Sequence, residues 1–127
     1  MCDAVDAIIE RPSLVADQRL RDQIRDAADS VLSNIAEGFE QATDRAFARY
    51  LYISKGSTAE LRTRLYRARN RRYITEDEYK SRKTLANEVG QMLTGLIKYL
   101  HKSDRKHRGL GKDDSKPRTK ASTDDAD

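Results

Sequence analysis

Proline occurs only twice, at Pro12 and Pro117, and the long stretch between them carries no residue that forbids a helix. Proline fixes φ and lacks the amide that a helix interior needs, so a chain without it can build long helices. No segment alternates apolar and polar residues as a half-buried strand does. Apolar residues recur instead at steps of three and four. Leu20, Ile24, Ala27, Ala28, Val31, Leu32, Ile35 and Phe39 trace one helix face, with Asp22, Asp26 and Asp29 on the opposite side. Gly38 stands where a glycine commonly ends a helix.

A second long helix is expected from Thr43, a hydroxyl cap followed by Asp44 at the positive dipole end. Its core stripe reads Phe47, Tyr50, Leu51, Ser54, Ser57, Leu61, Leu65 and Ala68. Gly56 in the middle points to a close approach of a neighbouring backbone, because glycine inside a helix costs about 1 kcal/mol relative to alanine. After Asn70-Arg71-Arg72, the run Thr75-Glu76-Asp77-Glu78 fits a capping box. The helix it opens should bury Tyr79, Leu85, Ala86, Val89, Met92, Leu93, Leu96 and Leu100. Ala4 to Glu10, ahead of Pro12, can add a short or partial first helix. The fold expected is all-α: an antiparallel, up-and-down four-helix bundle over residues 1–101, followed by a disordered charged tail over 102–127, where apolar residues are too few to offset ordering.

Charged residues make up 36% of the chain, and no apolar run approaches the roughly 18 residues of a membrane span, so no membrane partner is expected. The start lacks a basic segment followed by an apolar one, which makes a cytoplasmic location the expectation. Cys2 is the only cysteine, excluding an internal disulfide and a multi-cysteine metal site. His101 and His107, the two histidines, fall at or inside the expected tail, where nothing rigid would hold a base or a ligand. Gly109-Leu110-Gly111 lacks the strand, helix and third glycine of a phosphate loop. No catalytic residue, metal or cofactor is expected, and the chain reads as a non-enzyme.

The net charge of +4 conceals an uneven distribution. Residues 1–42 carry nine acidic and four basic side chains, whereas residues 43–72 carry nine basic and two acidic. Arg62, Arg64, Arg67, Arg69, Arg71 and Arg72 lie within eleven residues with no acid among them. Helical projection puts Arg62 and Arg69 beside Tyr66 on one side of the Leu61/Leu65 stripe, and Arg64, Arg67 and Arg71 on the other. Planar guanidinium groups fit phosphate oxygens and stack on bases, and Tyr66 adds a ring. Lys102, Arg105, Lys106 and Arg108 would reinforce them. The competing use is between protomers, with Asp22, Asp26 and Asp29 meeting the arginines of a neighbour.

Three runs, in order, resemble a known family. Asn34-Ile35-Ala36-Glu37-Gly38 ends one helix; Phe47 through Leu51 to Ile53, then Gly56-Ser57 and Glu60-Leu61, mark the next; Met92-Leu93 to Leu96-Ile97 and Leu100 mark the last. Together they resemble the bacterial four-helix bundle proteins also called 23S rRNA intervening-sequence proteins, over residues 18–100. The resemblance implies a bundle protomer that assembles into a homopentamer, no known catalytic activity, and an RNA context that makes RNA a better candidate ligand than DNA. Related accessory proteins of diversity-generating retroelements work with a reverse transcriptase, which is a second possible partner. Asn34 and Glu37 could meet a nucleotide edge, but bonding to backbone around the helix end is the favoured role. Three functions follow as expectations: an oligomeric RNA-binding scaffold, a reverse-transcriptase accessory protein, or an interaction module whose Arg and Asp faces only build the oligomer.

Overall fold

The computed structural model describes the backbone of residues 1–111 and the side chains of residues 1–107. Among them are five helices and no strand: α1 (Cys2–Ile9), α2 (Pro12–Ala16), α3 (Gln18–Phe39), α4 (Asp44–Asn70) and α5 (Glu76–Gly111). Local chemistry sets the boundaries. Pro12 occupies the first turn of α2, where its missing amide costs nothing. The Asp17 carboxylate accepts from Leu20 N at 3.3 Å and starts α3, and the Thr43 hydroxyl accepts from Ala46 N at 3.1 Å and starts α4. Thr75 and Glu78 form the reciprocal capping box of α5, Thr75 N donating to Glu78 Oε1 at 2.8 Å and Glu78 N to Thr75 Oγ1 at 3.1 Å.

Helices α3, α4 and α5 run up and down, with α4 packed against both others. The fourth place in the bundle is filled over half its length. There α1 bonds to α3 through Cys2 Sγ to Ala28 O and Arg21 Nε to Ile9 O, and to α5 through Arg82 Nε to Ala4 O. Val5, Ile8 and Leu14 thereby join Leu20, Ile24, Leu61, Leu65, Ala68, Tyr79 and Ala86 in one core. A second, smaller cluster of Ala48, Leu51, Leu93, Ile97 and Leu100 holds the other half.

Beyond the N-terminal end of α1, the same helix faces have no fourth layer, and several residues expected in the core are exposed. Leu32 is 59%, Phe39 66% and Met92 73% accessible. Thr58 rather than Ser57 completes the α4 stripe, and Ile97 joins that of α5. Two glycines also act otherwise than expected. Gly38 lies within α3, which runs one residue further, and a Cβ there would sit 2.7 Å from the Phe47 ring, so its role is close packing. Gly56 faces open space.

The expected disorder from residue 102 is corrected over residues 102–111, where α5 continues. The physical reason is a set of partners at the start of α4. Tyr52 Oη lies 3.0 Å from His101 Nε2, Arg45 pairs with Asp104 at 3.7 Å, and His107 Nδ1 lies 3.8 Å from Asp44. Both histidines therefore have helix-mounted neighbours. Residues 112–127 lie outside the described residues.

Candidate nucleic-acid interface

The arginine-rich half of α4 divides into two sides. Facing α5, the Arg69 guanidinium sits 4.9 Å from the Tyr66 ring centroid and 4.7 Å from that of Tyr79. It also donates to both Glu76 oxygens, at 2.9 and 3.1 Å. That hydrogen bonding raises the pKa of Arg69 and holds the Glu76 carboxyl below its ordinary range. Arg69 is thus occupied as a clamp between the end of α4 and the start of α5. Tyr66 keeps about half of its surface, 49%, exposed. Arg62 lies on the same side, beside Lys55, Asn87, Gly90 and Gln91 along the α4–α5 groove.

Facing α3, Arg64, Arg67 and Arg71 meet Arg19 and Gln23 around a concavity of about 370 Å³, floored by Leu20 and edged by Asp17. Arg71 Nη1 donates to Asp17 Oδ2 at 2.6 Å, and the Tyr73 hydroxyl donates to the same oxygen at 3.0 Å. The Leu20 amide, the Tyr73 hydroxyl and Arg71 hold the Asp17 carboxyl below its usual range, while donation to Asp17 pushes the Tyr73 phenol up. Four arginines thus line the concavity with one carboxylate, and that carboxylate pairs with Arg71 alone. Arg64 Nε is sealed from water and has no hydrogen-bond partner among the described residues. Arg19 and Arg67 make no ion pair among them either.

Arg72 caps this end. Arg72 N donates to Arg69 O and Tyr73 N to Ala68 O, both at 2.9 Å, the two bonds of a Schellman termination. Its φ of 62° is left-handed, a conformation that glycine adopts most readily. An exposed arginine stands there instead.

Other expected site residues fall elsewhere. Lys102, Arg105 and Lys106 are on the last turns of α5, beside the start of α4. From Arg45 to Arg67 along α4 is about 33 Å at 1.5 Å per residue, so these cations and the α4 cluster occupy opposite ends of the protomer. The single reinforced surface expected from sequence is not formed within one chain, and the Arg108 side chain lies outside the described residues. Asp22, Asp26 and Asp29 are on the outer face of α3, with Asp22 paired to Arg25 at 2.6 Å. Asn34 Nδ2 donates to Ser30 O at 2.8 Å and lies 3.1 Å from Ser30 Oγ, which in turn lies 2.7 Å from Ser57 Oγ. Ser54 Oγ donates to Val31 O at 2.7 Å. Asn34 and Ser57 thus belong to a polar seam between α3 and α4, while Glu37 and Glu60 are exposed.

Sequence reasoning missed Arg19 and Gln23. Equal distance from the loop at residues 40–43 puts residue 16 opposite Arg67. The observed Asp17–Arg71 and Ser30–Ser57 pairs shift the register so that residues 20–21 stand there, and that shift is set by packing rather than by a signal in the sequence.

Residues 2–95 match the 23S rRNA-intervening sequence protein family. The chain belongs to that family. Its fold is similar to the crystal structure of a protein of unknown function from the S23 ribosomal protein family of Bacteroides thetaiotaomicron VPI-5482. The two superpose with a TM-score of 0.63 at 24% identity, covering 76% of this chain and 97% of the other. No curated protein matches the chain significantly. The family match takes in α1 to α4, including every arginine around the concavity, and α5 as far as residue 95. Among the described residues, no helix is long and apolar enough to cross a membrane, and no cluster of His, Cys, Asp or Glu is arranged to hold a metal ion.

Proposed function

We propose that this member of the 23S rRNA-intervening sequence protein family is a non-enzymatic, homo-oligomeric helical scaffold that binds nucleic acid, RNA in preference to DNA, through the arginine-rich end of α4. The observation that carries the reading is the charge left uncompensated there. Arg69 and Arg71 are tied to Glu76 and Asp17, but Arg19, Arg62, Arg64, Arg67 and Arg72 have no acidic partner among the described residues. A face selected only for solubility mixes signs. Clustered arginines repel one another and become favourable when phosphates neutralise them. Arg72 adds a further exposed cation at the same end. RNA is favoured by the family's name, and assembly around an axis would gather the positive ends into one rim.

Oligomerisation has separate support. Leu32, Phe39, Met92 and Tyr99 are between 59% and 73% exposed, and α3 and α5 present them on the side left open past α1. Large apolar side chains this exposed on two neighbouring helices support an interaction face. The retroelement reading, in which a reverse transcriptase docks on the scaffold, uses the same two surfaces. A module whose arginines only meet the aspartates of a neighbouring protomer is the other outcome.

Light scattering combined with RNA and DNA titrations over a range of salt tests the proposal. The expected results are a mass several times that of the protomer and an RNA affinity that falls with salt at a log–log slope of roughly −0.7 per neutralised phosphate. Monomeric mass refutes the scaffold, and a flat salt response refutes the phosphate contacts.

A further inference from the structure

We infer that the concavity between α3 and α4 is a discrete seat for a phosphomonoester, the kind of group carried at the end of an oligonucleotide or on a free nucleotide. The inference deepens the nucleic-acid reading and rests on it for the source of the phosphate, though not for the seat itself.

Three observations point the same way. First, the donors converge: Arg19 comes from α3, and Arg64, Arg67 and Arg71 come from two turns of α4, around a space of about 370 Å³. A helix face that tracks an internal phosphate backbone would instead spread its cations along a ridge. Second, the charge matches a terminal phosphate. Four guanidinium groups surround one carboxylate, and that carboxylate already accepts from Arg71, Tyr73 and the Leu20 amide. A monoester carries about −1.5 to −2 charges at neutral pH, against one for a diester, and offers three unsubstituted oxygens where the diester must route two ester chains out of the pocket. Third, Arg64 Nε is a water-shielded donor with no acceptor among the described residues. Buried donors are normally satisfied; Nε is closed to solvent as it stands, so a bound phosphate satisfies it when the Arg64 guanidinium reorients into the concavity that it also lines.

Asp17 fits this seat as a positioning residue. It anchors Arg71 from below and leaves Arg19, Arg64 and Arg67 to the ligand.

The test uses the full chain and a short single-stranded RNA carrying either a 5′-phosphate or a 5′-hydroxyl, with adenosine monophosphate and inorganic phosphate as competitors. The 5′-phosphorylated RNA should bind about ten-fold tighter or better, as a charge-assisted, multidentate contact implies. Arg64→Gln, and separately Arg19→Gln, should erase that difference, while binding of the 5′-hydroxyl RNA weakens only by the loss of one cation, with a log–log salt slope shallower by about 0.7. Arg19 is exposed on α3, so its variant keeps the readout available if Arg64→Gln fails to fold. Displacement of only the phosphorylated RNA by adenosine monophosphate assigns the seat to any phosphomonoester, and no displacement assigns it to an oligonucleotide end. Equal affinity for both RNAs overturns the seat. If neither RNA binds with salt dependence, the nucleic-acid reading fails, yet binding of adenosine monophosphate or phosphate that is abolished in Arg64→Gln still upholds the seat. Binding of none of the probes overturns both.

Discussion

The two halves of this bundle use the same three long helices and reach different surfaces. Where α1 and α2 lie in the groove between α3 and α5, fourteen residues, thirteen from the five helices and Ile74 from the α4–α5 turn, make one sealed core. Past the N-terminal end of α1, the core shrinks to five buried residues, and the next turns of α3 and α5 show Leu32, Phe39, Met92 and Tyr99 to solvent. The arginine concavity belongs to the sealed half. The contrast teaches that apolar periodicity specifies which face of a helix is greasy, but the presence of a covering element decides whether that face is a core or a surface. The sealed half carries the arginine concavity, and the open half carries the most exposed apolar side chains.

The strongest way to break this comparison is to truncate one apolar side chain in each half. Leu65→Ala, at a fully buried position, should lower stability by about 2–5 kcal/mol in urea unfolding. Met92→Ala should stay within about 0.5 kcal/mol at protomer concentrations where no assembly forms. Equal losses would mean that the open face is covered. The glycines sharpen the same point on a smaller scale. Gly56→Ala should stabilise by up to about 1 kcal/mol, because nothing lies within 4 Å of the added carbon. Gly38→Ala should instead destabilise by about 1 kcal/mol, since the Phe47 ring must move and its tilted contact with Phe39, centroids 4.9 Å apart, is disturbed.

At the arginine end, Arg72→Gly should raise the unfolding free energy by about 1 kcal/mol by relieving the left-handed backbone, while weakening RNA binding. A variant that gained stability and kept its full affinity would remove Arg72 from the interface. The smallest effect expected is acid-linked. The Asp17 carboxyl is held below its ordinary value of 3.8, so its stabilising contribution is complete above that pH and is lost as pH falls through the lower folded-state value. Unfolding of Asp17→Asn should therefore depend less steeply on pH than that of the parent below 3.8, and the two curves should run parallel above it. Glu76, lowered by its bond to Arg69, adds to the same acid limb in both proteins.

Much of this is legible from the residues alone. The Thr43 cap and the Thr75–Glu78 box are local chemistry, written in four consecutive residues, and both stand where the sequence puts them. The division of the arginines into a Tyr66 side and an Arg64/Arg67/Arg71 side follows from helical phase, which needs no tertiary knowledge. What each arginine does with its charge is not legible. Arg69 and Arg71 are consumed by Glu76 and Asp17, partners that lie across a turn and across the bundle. Gly38 misleads because a helix-ending glycine and a packing glycine look alike until Phe47 is placed beside one of them. The continuation of α5 past residue 101 is hidden for the converse reason. That segment is polar, and what holds it against α4 is a set of polar contacts from Tyr52, Arg45 and Asp44 rather than an apolar stripe.

The central claim, that uncompensated arginines at the sealed end bind phosphate, is tested most directly by comparing the salt dependence of RNA affinity for the parent chain and for Arg64→Ala/Arg67→Ala/Arg71→Ala. The parent should show a linear log–log dependence, and the triple variant a slope shallower by roughly 0.7 for each phosphate it no longer neutralises, with its helical circular dichroism retained. Identical slopes for the two proteins would contradict the account.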